Sequence, residues 1–308
     1  MNVPVVFLVF NRPELTRRVL SRIRKAQPKQ LIVVCDGHRD CLKADLEKVS
    51  SVRQVISEEI NWSCSVRYEY SPVNLGCRER IVSGLNWAFS QIEEAIILED
   101  DCLPDPSFFL FAEEMLKRFR HDPRVFHIGG SNFTREKHVM RHSYAFSRYG
   151  HIWGWATWRR AWKLYESDLT SWKKPSERNM LMSGFQLADE RGYWGSIFDR
   201  CAAHPVAQTT WDYQWTYACW KHCGLAVYPS THLVENIGQG LEATHTVDFN
   251  PLFARRSEPI SLPLVHPSVV SGDARLDREV FRAVFMNERF VTDKIWRRLQ
   301  RRFGYIKK

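Results

Sequence analysis

Residues 95–109 read A-I-I-L-E-D-D-C-L-P-D-P-S-F-F. Four apolar residues run straight into Glu99-Asp100-Asp101, and Asp105-Pro106 follows. A short apolar run of this kind reads as a buried strand, and Asp-Pro has the chemistry of a helix N-cap followed by its first residue. Three adjacent carboxylates repel one another, so a strand that ends in them calls for a cation or a ligand at its tip.

Working outward, strand-like and helix-like segments alternate on both sides of this stretch. Val3–Phe10 is a β-rich run followed by N-R-P-E, where the spacing predicts an Asn11 cap with Glu14 closing a capping box. Leu15, Val19 and Ile23 then recur at helical spacing. Leu31–Cys35 is a second buried strand, ending at Asp36-Gly37-His38. Leu42, Leu46, Val49 and Ile56 mark a helix, Cys64, Val66, Tyr68 and Tyr70 alternate as a strand should, and Ile81, Leu85, Ala88 and Ile92 mark another helix. Beyond the acids, Phe108, Phe111, Met115 and Phe119 share a helix face, and Val125–Ile128 is a further strand.

Such a series implies an α/β fold with a mostly parallel sheet and helices on both faces. Open sheets of that type bind ligands at the carboxyl ends of their strands. Asn11-Arg12, Asp36-Gly37-His38 and Glu99-Asp100-Asp101 all fall at such ends.

After about residue 130 the alternation weakens into a Trp-rich stretch, a helical region near 176–201 and a mixed region to about 250. Six Trp (Trp153, Trp155, Trp158, Trp162, Trp172, Trp194) fall here, with Trp211, Trp215 and Trp220 soon after. Rings at this density build either plain core or an aromatic wall for a sugar or base. Residues 251–275 are rich in Pro and Ser and read as a loop, and the chain from about Asp277 reads as helical and increasingly basic. The domain expectation is a ligand-binding lobe at 1–130, a second lobe completing the site at 131–250, and a loop with a basic helical tail at 251–308.

Composition narrows the class. The 44 Lys and Arg against 35 Asp and Glu give a net charge of +9, which favours anionic ligands. No Lys/Arg block accompanies a recognised nucleic-acid motif, so nucleic acid is not expected as a partner. The eight Cys show neither C-x-x-C nor zinc-finger spacing and read as reduced core thiols, which favours the cytosol. The opening M-N-V-P-V-V-F-L-V-F-N-R-P has no basic region before its short apolar run and reads as a strand, not a signal peptide. Gly238-x-Gly240-x-x-Ala243 matches a dinucleotide fingerprint by letter, but it is far from the first strand and lacks the acid about 20 residues on. No P-loop spacing occurs.

F-N-R-P-E-L, V-V-C-D-G-H-R, N-L-G-C-R-E and I-I-L-E-D-D-C-L-P-D-P-S-F-F together resemble the donor-binding half of GT-A glycosyltransferases. The nearest likeness is to N-acetylglucosaminyltransferase-I-type enzymes and related bacterial sugar transferases. The likeness continues through G-H-I-W-G-W-A-T-W, T-T-W-D-Y-Q-W and I-G-Q-G-L-E-A-T-H-T, and so covers roughly residues 3–246. It implies a GT-A type, Rossmann-like, mostly parallel sheet flanked by helices, with a mixed α/β acceptor-side lobe and a C-terminal helical tail.

It also implies roles. Asp101 would hold Mn²⁺ (or Mg²⁺), with Asp100 and Glu99 near the ribose and sugar of a UDP-sugar. Asp36 would pair with the uracil edge, and Arg12, with Arg78 nearby, would lie by the phosphates. Trp153 and Trp155, with Trp158, would stack on sugar faces. Thr244 and His245 would approach the diphosphate, with His245 a further candidate metal ligand. Asp212 would be the base of an inverting transfer, although W-D-Y-Q-W lacks the second acid of the family's W-D-D-W-type segment. The implied acceptor is a glycan or lipid-linked sugar in polysaccharide biosynthesis, with N-acetylglucosamine the sugar suggested.

The basic stretch from Asp293 is a candidate peripheral membrane contact at the inner face. Two other classes compete. A non-catalytic nucleotide-sugar- or carbohydrate-binding protein would keep the pocket with an idle base. A sugar-phosphate nucleotidyltransferase would need a Gly-rich, Lys/Arg-bearing loop where this chain has F-N-R-P-E-L.

Overall fold

β1 (Val5–Val9) is buried along its whole length because its alternate side chains serve two cores. Val5, Phe7 and Val9 point to one face of the sheet, Val6 and Leu8 to the other. The computed structural model describes residues 1–134, 140–238 and 252–286. Thr244, His245 and the basic stretch from Asp293 lie outside the described residues.

From β1 the chain passes through α1 (Pro13–Ala26) to β2 (Gln30–Cys35), then through α2 (Lys43–Glu59) to β3 (Ser65–Tyr70). It returns through α3 (Cys77–Gln91) to β4 (Glu94–Glu99), which lies on the opposite side of β1. These four strands are parallel, in the order β3-β2-β1-β4. The crossover direction therefore reverses between β1 and β4, which opens a crevice at their carboxyl ends.

A turn at Asp100-Asp101 leads to β5 (Cys102–Pro104), then α4 (Pro106–Phe119) and β6 (Val125–Gly129). Asp105 caps α4 as its sequence predicts, accepting from the Ser107 N–H at 2.9 Å. Beyond residue 130 come β7 (Tyr144–Ser147), β8 (Trp155–Trp158), α5 (Arg159–Trp162), α6 (Pro175–Ser183) and α7 (Ala188–Ala203). They are followed by α8 (Asp212–Lys221), β9 (Leu225–Pro229), β10 (Val234–Asn236) and α9 (Ala274–Val280).

Among the described residues one eight-stranded sheet runs β3-β2-β1-β4-β8-β6-β9-β7, and β10 pairs antiparallel with β5. β8 lies antiparallel between β4 and β6, with Trp155 opposite Ile97. The fold is thus α/β with a Rossmann-like parallel half. The 131–250 stretch adds three strands to the same sheet, which is continuous across residue 130.

Four expectations change. Asn11 does not cap α1: its amide donates to Asp45 Oδ1 at 2.9 Å, Glu14 turns to Arg17, and Arg12 is the N-cap with Pro13 behind it. Trp155 and Trp158 do not line a sugar pocket. Trp155 is fully buried, stacked between His127 (5.2 Å) and Trp211 (5.6 Å), and Trp158 packs into the core on the other face. They are inward because both belong to β8, a central strand covered on both faces. The cysteines divide as well: Cys35, Cys102, Cys201 and Cys219 are core thiols, but Cys41, Cys77 and Cys223 are exposed. The last described helix starts at Ala274, earlier than Asp277, because Asp273 caps it through the Arg275 and Leu276 N–H groups. No helix among the described residues is long and apolar enough to cross a membrane.

Around Trp155 and Phe133 lie three histidines whose ionisation burial suppresses. It lowers His127 to about 4, His151 to about 3 and His232 to about 4. His127 accepts from Trp215 Nε1 on Nδ1 and meets the His151 carbonyl through Nε2, which fixes a neutral tautomer. An unfolded histidine titrates near 6.5, so below that pH the unfolded chain binds protons that the native rings refuse. Stability should therefore fall as pH drops from about 6.5 to about 4, by up to roughly 1.4 kcal/mol per pH unit for each ring. Urea unfolding of His127→Gln across that range should show an acid slope shallower by about one ring's share.

Candidate functional site

Glu99 ends β4, and Asp100 and Asp101 form the turn beyond it, directly beside the end of β1. Arg12, the residue before α1, reaches across this junction. One guanidinium nitrogen donates to Asp101 Oδ2 at 2.9 Å and another to Asp100 Oδ1. Asp100 also accepts from the Phe10 N–H at 3.3 Å, and its side chain is only 3% exposed. Its carboxylate therefore laces the end of β1 to that of β4 and is not offered to a ribose. Asp101 stays more open, at 15%.

Charge at this junction is unbalanced. Burial opposes the Arg12 charge, yet Asp100 and Asp101 outweigh it and hold the guanidinium protonated more firmly than usual. Glu99 keeps part of its surface open. Desolvation by its surroundings, followed by repulsion from Asp101 and Asp100, still lifts it well above the usual carboxylate range.

The chain following β10 crosses directly over the pair. The Ile237 N–H donates to the Asp101 carbonyl at 2.8 Å. A Cβ on Gly238 would stand 2.4 Å from Asp101 Oδ2 and 2.9 Å from the Arg12 guanidinium, so only glycine passes there. The sequence marks Gly238 both in the rejected fingerprint and in the I-G-Q-G-L-E-A-T-H-T likeness; its place over the pair appears once β10 is seen paired with β5.

Asp212 is the first residue of α8, where the positive end of the helix dipole favours a carboxylate. It is half-buried, and its charge raises the proton affinity of Glu99, Cys77, Tyr165 and Cys201, which sets it within electrostatic reach of Glu99. Cys77, the first residue of α3, shares this space. Its surroundings and the carboxylates of Glu99, Asp212 and Asp101 push the thiol up to about 12, against Arg12. No spacing in the sequence marks Cys77, because its position follows from the loop that precedes it.

Asp36 organises that loop. Oδ1 accepts from the Gly37 and Leu75 N–H groups at 2.9 and 3.0 Å, and Oδ2 from the Gly76 N–H at 3.0 Å and the Asn74 amide at 3.1 Å. With four donors in place and 4% exposure, the carboxylate has no face left for a uracil edge. Gly37 lets the two loops meet, since a Cβ there would sit 2.4 Å from the Val73 carbonyl carbon. Arg78, expected near phosphates, is also buried and points elsewhere: it binds Pro205 O, Ser167 and Asp168. Trp153 is partly exposed, held edge-on by Phe133 and Phe253 at 5.4 Å each. Of the three expected sugar-stacking rings, only Trp153 keeps an open surface.

The donor set fits a hard divalent cation. Among the described residues Asp101 Oδ1 meets the weakly donating Cys102 Sγ, at 3.5 Å, and so retains acceptor capacity. Among the described residues no group of three His, Cys, Asp or Glu forms a cage. Mg²⁺-type sites commonly use one or two carboxylates with phosphate and water oxygens, which matches this arrangement.

No family model matches the sequence, and no curated protein matches it. Among solved structures, S. aureus TarS 1–349 is 11% identical with a TM-score of 0.37, over 53% of this chain and 48% of that one. HddC from Yersinia pseudotuberculosis is 12% identical with a TM-score of 0.33, over 56% of this chain and 84% of that one. The 4-diphosphocytidyl-2C-methyl-D-erythritol synthase from Anaerococcus prevotii is 10% identical with a TM-score of 0.34, over 71% and 96%. The chain spans about half the length of the TarS structure. These likenesses extend no further than the general run of strands and helices.

Removing the Asp36 carboxylate would strand several donors in a buried loop. Asp36→Ala should cost roughly 2–4 kcal/mol in urea unfolding. Amide hydrogen exchange should quicken at residues 73–77, whereas a local change confined to Gly37 would contradict the clamp.

Proposed function

We propose that this chain is a nucleotide-sugar-dependent glycosyltransferase that works with a divalent cation. What carries the reading is one juxtaposition. Glu99 and Asp101, with Arg12 between the strand ends, lie across from Asp212 at the crevice where the crossover direction reverses. A divalent cation would offset the crowded negative charge at that place and bring a diphosphate with it.

The donor would bind with its diphosphate toward Arg12 and Asp101. Asp101, with Glu99 beside it, would hold Mn²⁺ or Mg²⁺. When bound, such a cation supplies Lewis-acid stabilisation to the departing diphosphate. Arg12 contributes fixed positive charge to the same leaving group, preorganised by Asp100. Asp212 takes the proton from the acceptor hydroxyl as its oxygen attacks the anomeric carbon. Asp212 sits in the first turn of α8, whose dipole favours a carboxylate there. Trp153 offers an aromatic face to a sugar ring. One base and one displacement imply inversion at the anomeric carbon.

A UDP-sugar is the donor class that the sequence resemblance supports, and a glycan or lipid-linked sugar the acceptor class. A sugar-phosphate nucleotidyltransferase gains no support from the segment after β1, where α1 begins at Pro13 without a glycine-rich loop. The products separate the two reactions, since a nucleotidyltransferase releases pyrophosphate and a glycosyltransferase releases the nucleoside diphosphate.

The decisive measurement is a titration of UDP-sugars with Mn²⁺, followed by product analysis. Asp101→Ala should abolish Mn²⁺-dependent nucleotide binding; binding that is unchanged would remove Asp101 from the cation. Asp212→Asn should bind donor normally and lose roughly 10²–10⁴ in turnover. Transfer at the normal rate would move the base elsewhere. The anomeric proton coupling of the product should show inversion, and retention would sink the single-displacement scheme.

A further inference from the structure

Arg78 is the second residue of α3, and its guanidinium is turned toward Pro205, Ser167 and Asp168. Its side chain is 6% exposed. One nitrogen donates to the Pro205 carbonyl. Another reaches Ser167 Oγ at 2.8 Å, the Ser167 carbonyl at 3.2 Å and Asp168 Oδ1 at 3.3 Å. Every one of these acceptors lies at least 89 residues further along the chain. A planar fork that meets two separate loops at once is geometry peculiar to arginine.

Those two loops govern α8. Residues 165–171 form a bracket that grips the helix at three heights. Tyr165 OH donates to the Trp211 carbonyl at 3.2 Å, immediately before Asp212. Ser171 Oγ meets Tyr217 OH at 2.7 Å, midway along the helix. Glu166 accepts from Lys221 Nζ at 3.1 Å, at its last residue. Pro205 belongs to the short 3₁₀ turn that leads the chain into the helix. On the other side, the start of α3 is fixed by the Asp36 carboxylate through Gly76. Hydrogen bonds joined by short stretches of backbone therefore run from the end of β2 through Arg78 to the residue before Asp212.

We propose that Arg78 is a positioning residue, a strut that sets the Asp212 carboxylate against Glu99 and Asp101. This rests on the transfer reading above, with Asp212 as its base. It replaces the expectation of a phosphate contact, because the guanidinium is buried and engaged by Pro205, Ser167 and Asp168. Since the strut acts through its fork, keeping the charge alone does not preserve it.

Arg78→Gln and Arg78→Lys test this together. Both should lower transfer kcat by roughly 10–100-fold, since small misplacements of a reacting group cost rate on that scale. Donor binding, titrated with UDP-sugar and Mn²⁺, should stay within about twofold of wild type. Arg78→Gln combined with Asp212→Asn should be no slower than Asp212→Asn alone, because the strut acts only through that carboxylate. Donor binding weakened in Arg78→Gln but preserved in Arg78→Lys would mean a phosphate contact and overturn the proposal, as would full multiplication of the two single effects. Hydrogen exchange over residues 205–215 needs no substrate and should quicken in both variants. Unchanged exchange removes the strut, whereas quickened exchange in a chain whose wild type transfers no sugar leaves the strut standing and sinks the transfer reading.

Discussion

Arg12 lies between Asp100 and Asp101, and most of what surrounds the crevice follows from that one shared cation. A single guanidinium divided between two carboxylates fixes the ends of β1 and β4 relative to each other. It also leaves Glu99 in a field of negative charge that the described side chains do not balance. Burying charge without a partner is costly, so the junction is built to receive positive charge or a ligand that brings it. The passage of Gly238 over the pair is the steric counterpart, since a Cβ there would run into both Asp101 and Arg12.

The parallel half of the fold was legible because its signals are local. Short apolar runs ending in polar clusters, helical periods between them and the Asp105-Pro106 cap each act over a few residues. Those signals place Arg12 and Glu99-Asp100-Asp101 at neighbouring strand ends. The roles of individual acids were not legible, because they depend on what lies across the gap. Asp36 and Asp100 have the same side chain as Asp101, yet Asp36 meets four donors from its own and a neighbouring loop, and Asp100 is locked to Phe10 and Arg12. Asn11 shows the same effect at smaller scale, since a tertiary partner, Asp45, takes the amide that local spacing assigns to a cap.

Tryptophan misleads for a related reason. A ring in a sugar site and a ring in a core look alike in sequence, and strand position decides between them. Trp155 and Trp153 are two residues apart, but Trp155 sits in a strand paired on both sides while Trp153 lies in the loop before it. The stacked His127, Trp155 and Trp211 rings instead explain how a stretch this aromatic stays ordered around neutral histidines.

β8 has a mechanical consequence. It threads antiparallel between β4, which carries the carboxylates, and β6, which continues toward β9. The two sides of the crevice are therefore joined through the ladder hydrogen bonds of one sheet, with no linker between them to act as a hinge. Rigid-body swinging of one side against the other would have to break that ladder. Any widening to admit a ligand falls to loops at the rim, and the span between Glu99 and Asp212 is set by side chains and loop contacts on a stiff frame.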